Sequence, residues 1–156
     1  MSEIKPKIIF TGIPIPPSSN GQYSTIMMRG RPMRVPSREF KEYKKLFAAW
    51  VISNKQSLLE ARGCIREWNS TLEIAMYCCF EKSRLITQDG RCKNLDISNR
   101  SKALHDLLSD ALQIDDSIFV STPMEKVVDS YDKEQVVIMI RPFGYRLSDE
   151  ILKSII

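Results

Sequence analysis

Apolar and polar positions follow several distinct periods along the chain, and each period predicts an element. Positions 7–15 are rich in Ile and Phe and predict a first strand. Pro16-Pro17-Ser18-Ser19-Asn20-Gly21 ends it, because proline cannot donate to a ladder and Ser, Asn and Gly supply turn chemistry. Positions 22–36 show no apolar period and predict a long loop. From 38 to about 62, Phe40, Tyr43, Leu46, Phe47, Trp50, Val51, Leu58 and Leu59 recur at helical spacing. They predict one long helix, with Ser37 as its N-cap and Gly63 as its stop. Positions 71–80 alternate loosely and predict a second strand. Positions 81–94 are polar, with a turn at Asp89-Gly90.

A second helix is predicted from about 98 to 113, where Ala103, Leu104, Leu107, Leu108 and Ala111 form one apolar stripe. Ser98 is its expected N-cap. A third strand over 117–129 is made irregular, or confined to an edge, by Pro123. A fourth follows over 134–141, with Asp132-Lys133 in a hairpin turn between the two. Positions 147–156 suit a short helix. The order β-α-β-α-β-β is that of an α+β fold, a small mixed sheet with two main helices, in a single domain over 1–156.

Composition changes this picture little. A chain of 156 residues, 43% hydrophobic and 27% charged, is ordinary for a soluble globular protein. The net charge of +4 is modest, but its distribution is not. Arg29, Arg31, Arg34, Arg38, Lys41, Lys44 and Lys45 crowd one segment against only Glu39 and Glu42. Such a cluster suits a polyanion; the simpler reading is a solvated helix face. The cysteines, Cys64, Cys78, Cys79 and Cys92, form no C-x-x-C pair, and His105 is the one histidine, which argues against zinc. Cys78 and Cys79 are adjacent in a strand and read as small core residues on opposite faces. No apolar signal region opens the sequence and no run approaches a membrane span, so a cytoplasmic protein is expected.

The chemistry gathers around the second helix. Asp96 precedes it, Lys102 and Asp106 lie on its polar side, and Asp115-Asp116 follow it. Carboxylates of this kind can hold Mg²⁺, which polarises a phosphoryl oxygen and acidifies a bound water. Lys102 can stabilise charge developing on a phosphate. Its simpler role is an i,i+4 ion pair with Asp106, worth about 0.3–0.5 kcal/mol. Asp110 reads as a solvated helix charge and His105 as a surface or packing residue.

These residues resemble the RusA-type Holliday junction resolvases, small endonucleases common in phages and prophages. The resemblance begins at Pro16-Pro17-Ser18-Ser19-Asn20, which matches the family's P-P-S-x-N, and continues through Arg29-Gly30-Arg31. It is most specific at Asp96-Ile97-Ser98-Asn99-Arg100-Ser101-Lys102, Asp106 and Asp115-Asp116. There the family pattern is D-x-D-N-x-x-K, an acid four residues on, and an acidic pair before an apolar strand. The resemblance implies a homodimer that binds four-way DNA junctions and makes paired, magnesium-dependent nicks. It makes Asp96, Lys102 and Asp116 the expected catalytic residues; the chemistry of the residues themselves makes Asp96, Asp115 and Asp116 the candidate metal ligands, with Asp106 in support. Asn20, Arg29, Arg31 and Arg34 are the expected DNA-binding set. The family's second acid falls on Ser98, whose hydroxyl brings no charge to a hard cation. Either Asp115 or Asp106 compensates, or metal affinity or activity is lower.

A helix from about 98 to 113 separates its ends by roughly 24 Å at ~1.5 Å per residue. Asp96 and Asp116 then share a metal only if the helix is broken or if two chains pair across antiparallel central helices. Two other functions stay open. One is a binder of branched DNA that has lost efficient cleavage; the other is a structural or interaction protein whose acids are merely solvated.

Overall fold

The computed structural model describes residues 6–128 and 133–143. The elements run β1 (Ile8–Ile13), α1 (Ser19–Gln22), β2 (Tyr23–Met28), β3 (Arg31–Pro36), α2 (Arg38–Ser53) and α3 (Lys55–Trp68). They continue with β4 (Leu72–Phe80), α4 (Lys82–Leu85), α5 (Ser98–Leu112), a 3-10 turn (Asp116–Ile118), β5 (Phe119–Ser121), β6 (Met124–Val128) and β7 (Gln135–Pro142). The fold is α+β around a mixed sheet.

β4 is the middle of that sheet. β7 pairs antiparallel to one of its edges, and β5 and then β6 pair parallel to the other. β1 completes the sheet by pairing antiparallel to β7. Leu72, Ile74, Met76, Cys78 and Phe80 of β4 and Val136, Ile138 and Ile140 of β7 face the helices and are fully buried. They pack with Phe47, Trp50, Leu58 and Ile65 of α2 and α3 and with Leu104, Leu108 and Leu112 of α5. Ala75 and Cys79 point to the opposite face by strand alternation and are also buried, which agrees with the reading of the paired cysteines. The indole of Trp50 donates to the Thr11 carbonyl at 2.9 Å and ties α2 to β1. There β1 carries a bulge, with Gly12 at φ 70° and its amide bonded to the Gln135 side chain at 2.7 Å.

Four predicted elements differ. The long helix over 38–62 is two helices, because the apolar stripe lapses at Ser53-Asn54-Lys55-Gln56-Ser57. Asn54 leaves helical geometry at φ −110°, ψ 16°, and its side-chain amide takes the Trp50 carbonyl at 2.8 Å. Gly63 does not stop the second piece. It is exposed inside α3, which runs on to bury Ile65 and ends at Asn69 in the left-handed conformation. The basic loop over 22–36 is a β-hairpin, β2 with β3, turning at Arg29 (φ 51°) and Gly30 (φ 74°). Its strands are exposed on both faces, so no alternation marks them in the sequence.

The hairpin expected between the third and fourth strands does not form. The parallel crossover β4-α5-β5 sets β5 and β6 on one side of β4, and β7 takes the other. Asp132 of its predicted turn lies outside the described residues, as does the segment 147–156 predicted as a short helix. Pro123 does interrupt the third strand between β5 and β6, where its carbonyl accepts from the Met76 amide at 2.8 Å. Among the described residues, no helix is long and apolar enough to cross a membrane.

Candidate functional site

The site residues are distributed along α5 and its two ends. At the N-terminal end the cap position falls on Ile97, and the Asp96 carboxylate just before it accepts from the first turn. One carboxylate oxygen accepts from the Ser98 amide at 2.9 Å and the Ser98 hydroxyl at 2.6 Å, and the other accepts from the Asn99 side chain at 2.5 Å. Ser98 therefore does not cap the helix as the sequence predicts. It is the first helical residue, and its hydroxyl is spent on Asp96. The Ser98 hydroxyl is the main cause of a lowered Asp96 pKa, and the charge of Lys126 on β6 pushes the same way.

One turn further on, Arg100 reaches across to the segment after β1. Its guanidinium donates to the Pro16 carbonyl at 2.6 Å and to the Asp96 carbonyl at 3.3 Å. Buried Gln22 donates to the Pro17 carbonyl at 3.3 Å, and the Ser37 hydroxyl donates to the Gly21 carbonyl. The Pro16–Gln22 segment thus links the start of α5, the root of the hairpin and the start of α2. Asn20 lies on this link and is exposed.

The middle of α5 faces an open cleft of about 340 Å³. Lys102, Asp106 and Asp110 form one wall, with Tyr23 and Arg34 of the hairpin and Phe40 and Lys44 of α2 opposite. Lys102 and Asp106 approach to 3.8 Å, but both are exposed. Such a pair contributes only about 0.3–0.5 kcal/mol, so Lys102 is held loosely enough to meet another anion. Arg34 lies over the Tyr23 ring at 5.0 Å and Lys44 over the Phe40 ring at 4.8 Å. Arg29 and Arg31 sit at the exposed tip of the hairpin, beyond the cleft.

At the C-terminal end, Gln113 turns left-handed at φ 53°. Arg62 of α3 donates to the freed carbonyls of Leu112 and Ala111 at 3.0 and 3.3 Å. Asp115 caps the 3-10 turn by accepting from the Ser117 amide at 2.8 Å, and that bond lowers its pKa. Asp106, Asp110, Asp115 and Asp116 line one shallow cavity of about 360 Å³ with Ser109 and Ile114. His105 stands behind them, edge-on to Phe119 at 6.0 Å. Burial lowers its pKa against the opposing pull of Asp106 and Asp116, and its Nε2 finds no hydrogen-bond partner among the described residues.

Lys102 and Asp106 are thus brought together, and Asp106 joins Asp115 and Asp116. Asp96 is not brought to Asp116. α5 runs unbroken for 15 residues between them, roughly 22 Å at ~1.5 Å per residue, which removes the broken-helix arrangement. The carboxylates are the hard oxygen donors a divalent cation prefers, but one chain presents them as two separate groups. Among the described residues, no three of His, Cys, Asp and Glu are arranged to hold a metal ion.

Several residues take a place at the site that the sequence did not assign them. Asp110 shares the acidic cavity, Lys126 stands near Asp96, and Tyr23 and Lys44 line the cleft. Asp110 had a signal in its i,i+4 spacing from Asp106 on the same face, and Lys44 in its place within the basic segment 29–45. The others arrive from distant strands. A family model described as endodeoxyribonuclease RusA matches residues 14–141. No curated protein matches the chain.

Proposed function

The chain belongs to the RusA endodeoxyribonuclease family of Holliday junction resolvase nucleases, and from that premise we propose that it cuts four-way DNA junctions by paired, Mg²⁺-dependent nicks, as a homodimer in recombination and repair. The observation that carries this reading is the division of the acids by α5. Asp96 and Lys102 belong to one end of an intact helix, and Asp115 and Asp116 lie beyond the other. Two chains related by a two-fold axis, with their α5 helices antiparallel, set Asp96 against Asp116 of the partner subunit, twice per dimer. Two such sites are what paired nicks require.

Asp96, Asp115 and Asp116 are the residues that would hold the cation. A cation bound there supplies polarisation of the phosphoryl oxygen and a more acidic water. The chain's own groups do the rest. The Ser98 hydroxyl and Asn99 amide orient the Asp96 carboxylate and keep it ionised. The Lys102 ammonium leaves its loose contact with Asp106 to meet charge building on the scissile phosphate. Asn20, Arg29, Arg31 and Arg34 hold neighbouring backbone phosphates, a contact that displaces counterions.

Ser98 favours one other reading. Its hydroxyl donates to Asp96 where the family pattern has an acid, which suits a binder of branched DNA with little cleavage. A labelled four-way junction separates the two. Paired nicks in Mg²⁺, none in EDTA, and loss of cutting with retained binding in Asp116→Asn are expected of the nuclease. Tight binding by the unmodified protein with no nicks in Mg²⁺ would assign it to the second reading.

A further inference from the structure

The β2–β3 hairpin is built against the usual rule for an uncovered ribbon. Two strands with no layer over them are marginal in water, and such strands ordinarily show polar side chains. Here every residue of β2 is exposed, and Ile26, Met27, Met28 and Met33 are 43, 70, 50 and 45% accessible. The register sets Ile26 opposite Met33 and Met28 opposite Arg31 on one face. Met27 opposes Pro32 on the other face, the one that carries Tyr23 and Arg34. No acid occurs between 23 and 36; Arg29 stands in the turn itself and Arg31 is the first residue of β3. Arg29 occupies a left-handed position that glycine or asparagine would take more readily.

The end of the hairpin is therefore cationic at its turn and apolar just behind it on both faces, which matches a nucleic acid whose bases are open and whose phosphates lie close by. Its position agrees. Tyr23 and Arg34, at the root, line the cleft over Lys102. From Tyr23 to Met27 is four residues, roughly 14 Å at ~3.4 Å each. A strand with a phosphate at Lys102 covers that span in about four nucleotides.

Resting on the reading that this chain acts on four-way junctions, we propose that Met27 and Met28 enter the branch point and unstack the base pairs beside it, while Arg29 and Arg31 hold the adjoining phosphates. Methionine is among the side chains that serve as wedges between base steps, and its unbranched thioether adapts to an irregular opening.

The test places 2-aminopurine beside the branch point of a four-way junction, in EDTA so that no strand is cut. The unmodified protein should raise its fluorescence several-fold. Met27→Ser/Met28→Ser should lose the rise, while junction affinity falls less than about tenfold and keeps its salt dependence. Met27→Leu/Met28→Leu should retain the rise. A bound junction with no rise, or a rise that survives in the serine variant, would overturn the wedge and leave junction binding standing. Failure of the unmodified protein to bind the junction would overturn the proposed function and the wedge together. Should sedimentation show the serine variant to be a monomer and the unmodified protein a dimer, the tip is a subunit contact and the wedge is also overturned.

Discussion

Mixing two dead variants should restore cutting if the nuclease site is shared between chains. The perturbation pairs Asp96→Asn with Asp116→Asn. Asparagine keeps an oxygen that can accept from Ser98, so the start of α5 survives the first change. The magnitude follows from the geometry. α5 is continuous over 15 residues, so the two acids of one chain stand roughly 20 Å apart or more, whereas ligand oxygens lie about 2.0–2.6 Å from a metal. Each homodimer then has a lesion in both sites. After equal mixing and exchange about half of the dimers are mixed, and each has one site with both lesions and one with neither. Nicking should return to about one quarter of the unmodified rate per chain, from nothing in either variant alone. The products should be single nicks, since the second site of every mixed dimer is dead. A labelled junction resolved on a denaturing gel reads both quantities, and co-purification of differently tagged chains verifies exchange. With exchange verified, no recovered nicking would refute the shared site. The acids lining the cavity beside Asp106 and Asp110 would then be the candidates for the metal.

Replacing Arg29 and Arg31 together with Ala should flatten the dependence of log affinity on log salt by about one to two units, measured by titrating junction binding across salt concentrations; an unchanged slope would put the phosphates elsewhere. Ser98→Ala should raise the Asp96 pKa toward its ordinary value, followed by carboxyl NMR. Since the folded protein depresses that pKa, the stabilisation is present above the ordinary carboxylate range and lost as pH falls through the folded value, so the variant should lose it at higher pH. Ser98→Asp should lower the Mg²⁺ concentration needed for cleavage if that position faces the ion, and leave it unmoved if Ser98 only orients Asp96. Arg62→Ala leaves the carbonyls at the end of α5 without their donor, at a cost of about 1–2 kcal/mol, and should lower the melting temperature by roughly 3–6 °C in thermal unfolding.

Elements with one buried face were legible in the sequence. The stripe through Leu104 and Leu108 gave α5 nearly to its observed ends, and the residues of β4 marked it as a strand. Elements without a buried face were not: β2 and β3 carry apolar residues on both exposed sides, so nothing in their order signals a hairpin. The break at Asn54 was visible only as a lapse in the stripe, which a single polar turn does not distinguish from a continuous helix. Strand pairing was hidden for a different reason. β6 and β7 are neighbours in sequence, and only the crossover through α5 reveals that β4 lies between them. At the site, Asp96, Lys102, Asp106, Asp115 and Asp116 stood out by local spacing. That the Asp96 carboxylate accepts from the first turn, with Ser98 as its donor, depends on side-chain directions that spacing leaves open.

The place of β7 bears on how the protein is made. Among the described residues, β1 has no partner in the sheet except β7, which also forms the antiparallel edge of β4. During synthesis the first strand can meet Trp50 of α2 early, but it waits until residues 135–142 have left the ribosome before it can join the sheet. Until then, β4 keeps an unsatisfied row of backbone groups, the kind of open edge that invites pairing with another chain. Closure depends on contacts between residues as far apart as Ile8 and Ile140, which makes folding slow and late. A growing chain should accordingly be most vulnerable to aggregation and proteolysis just before β7 emerges, and chaperone demand should peak there.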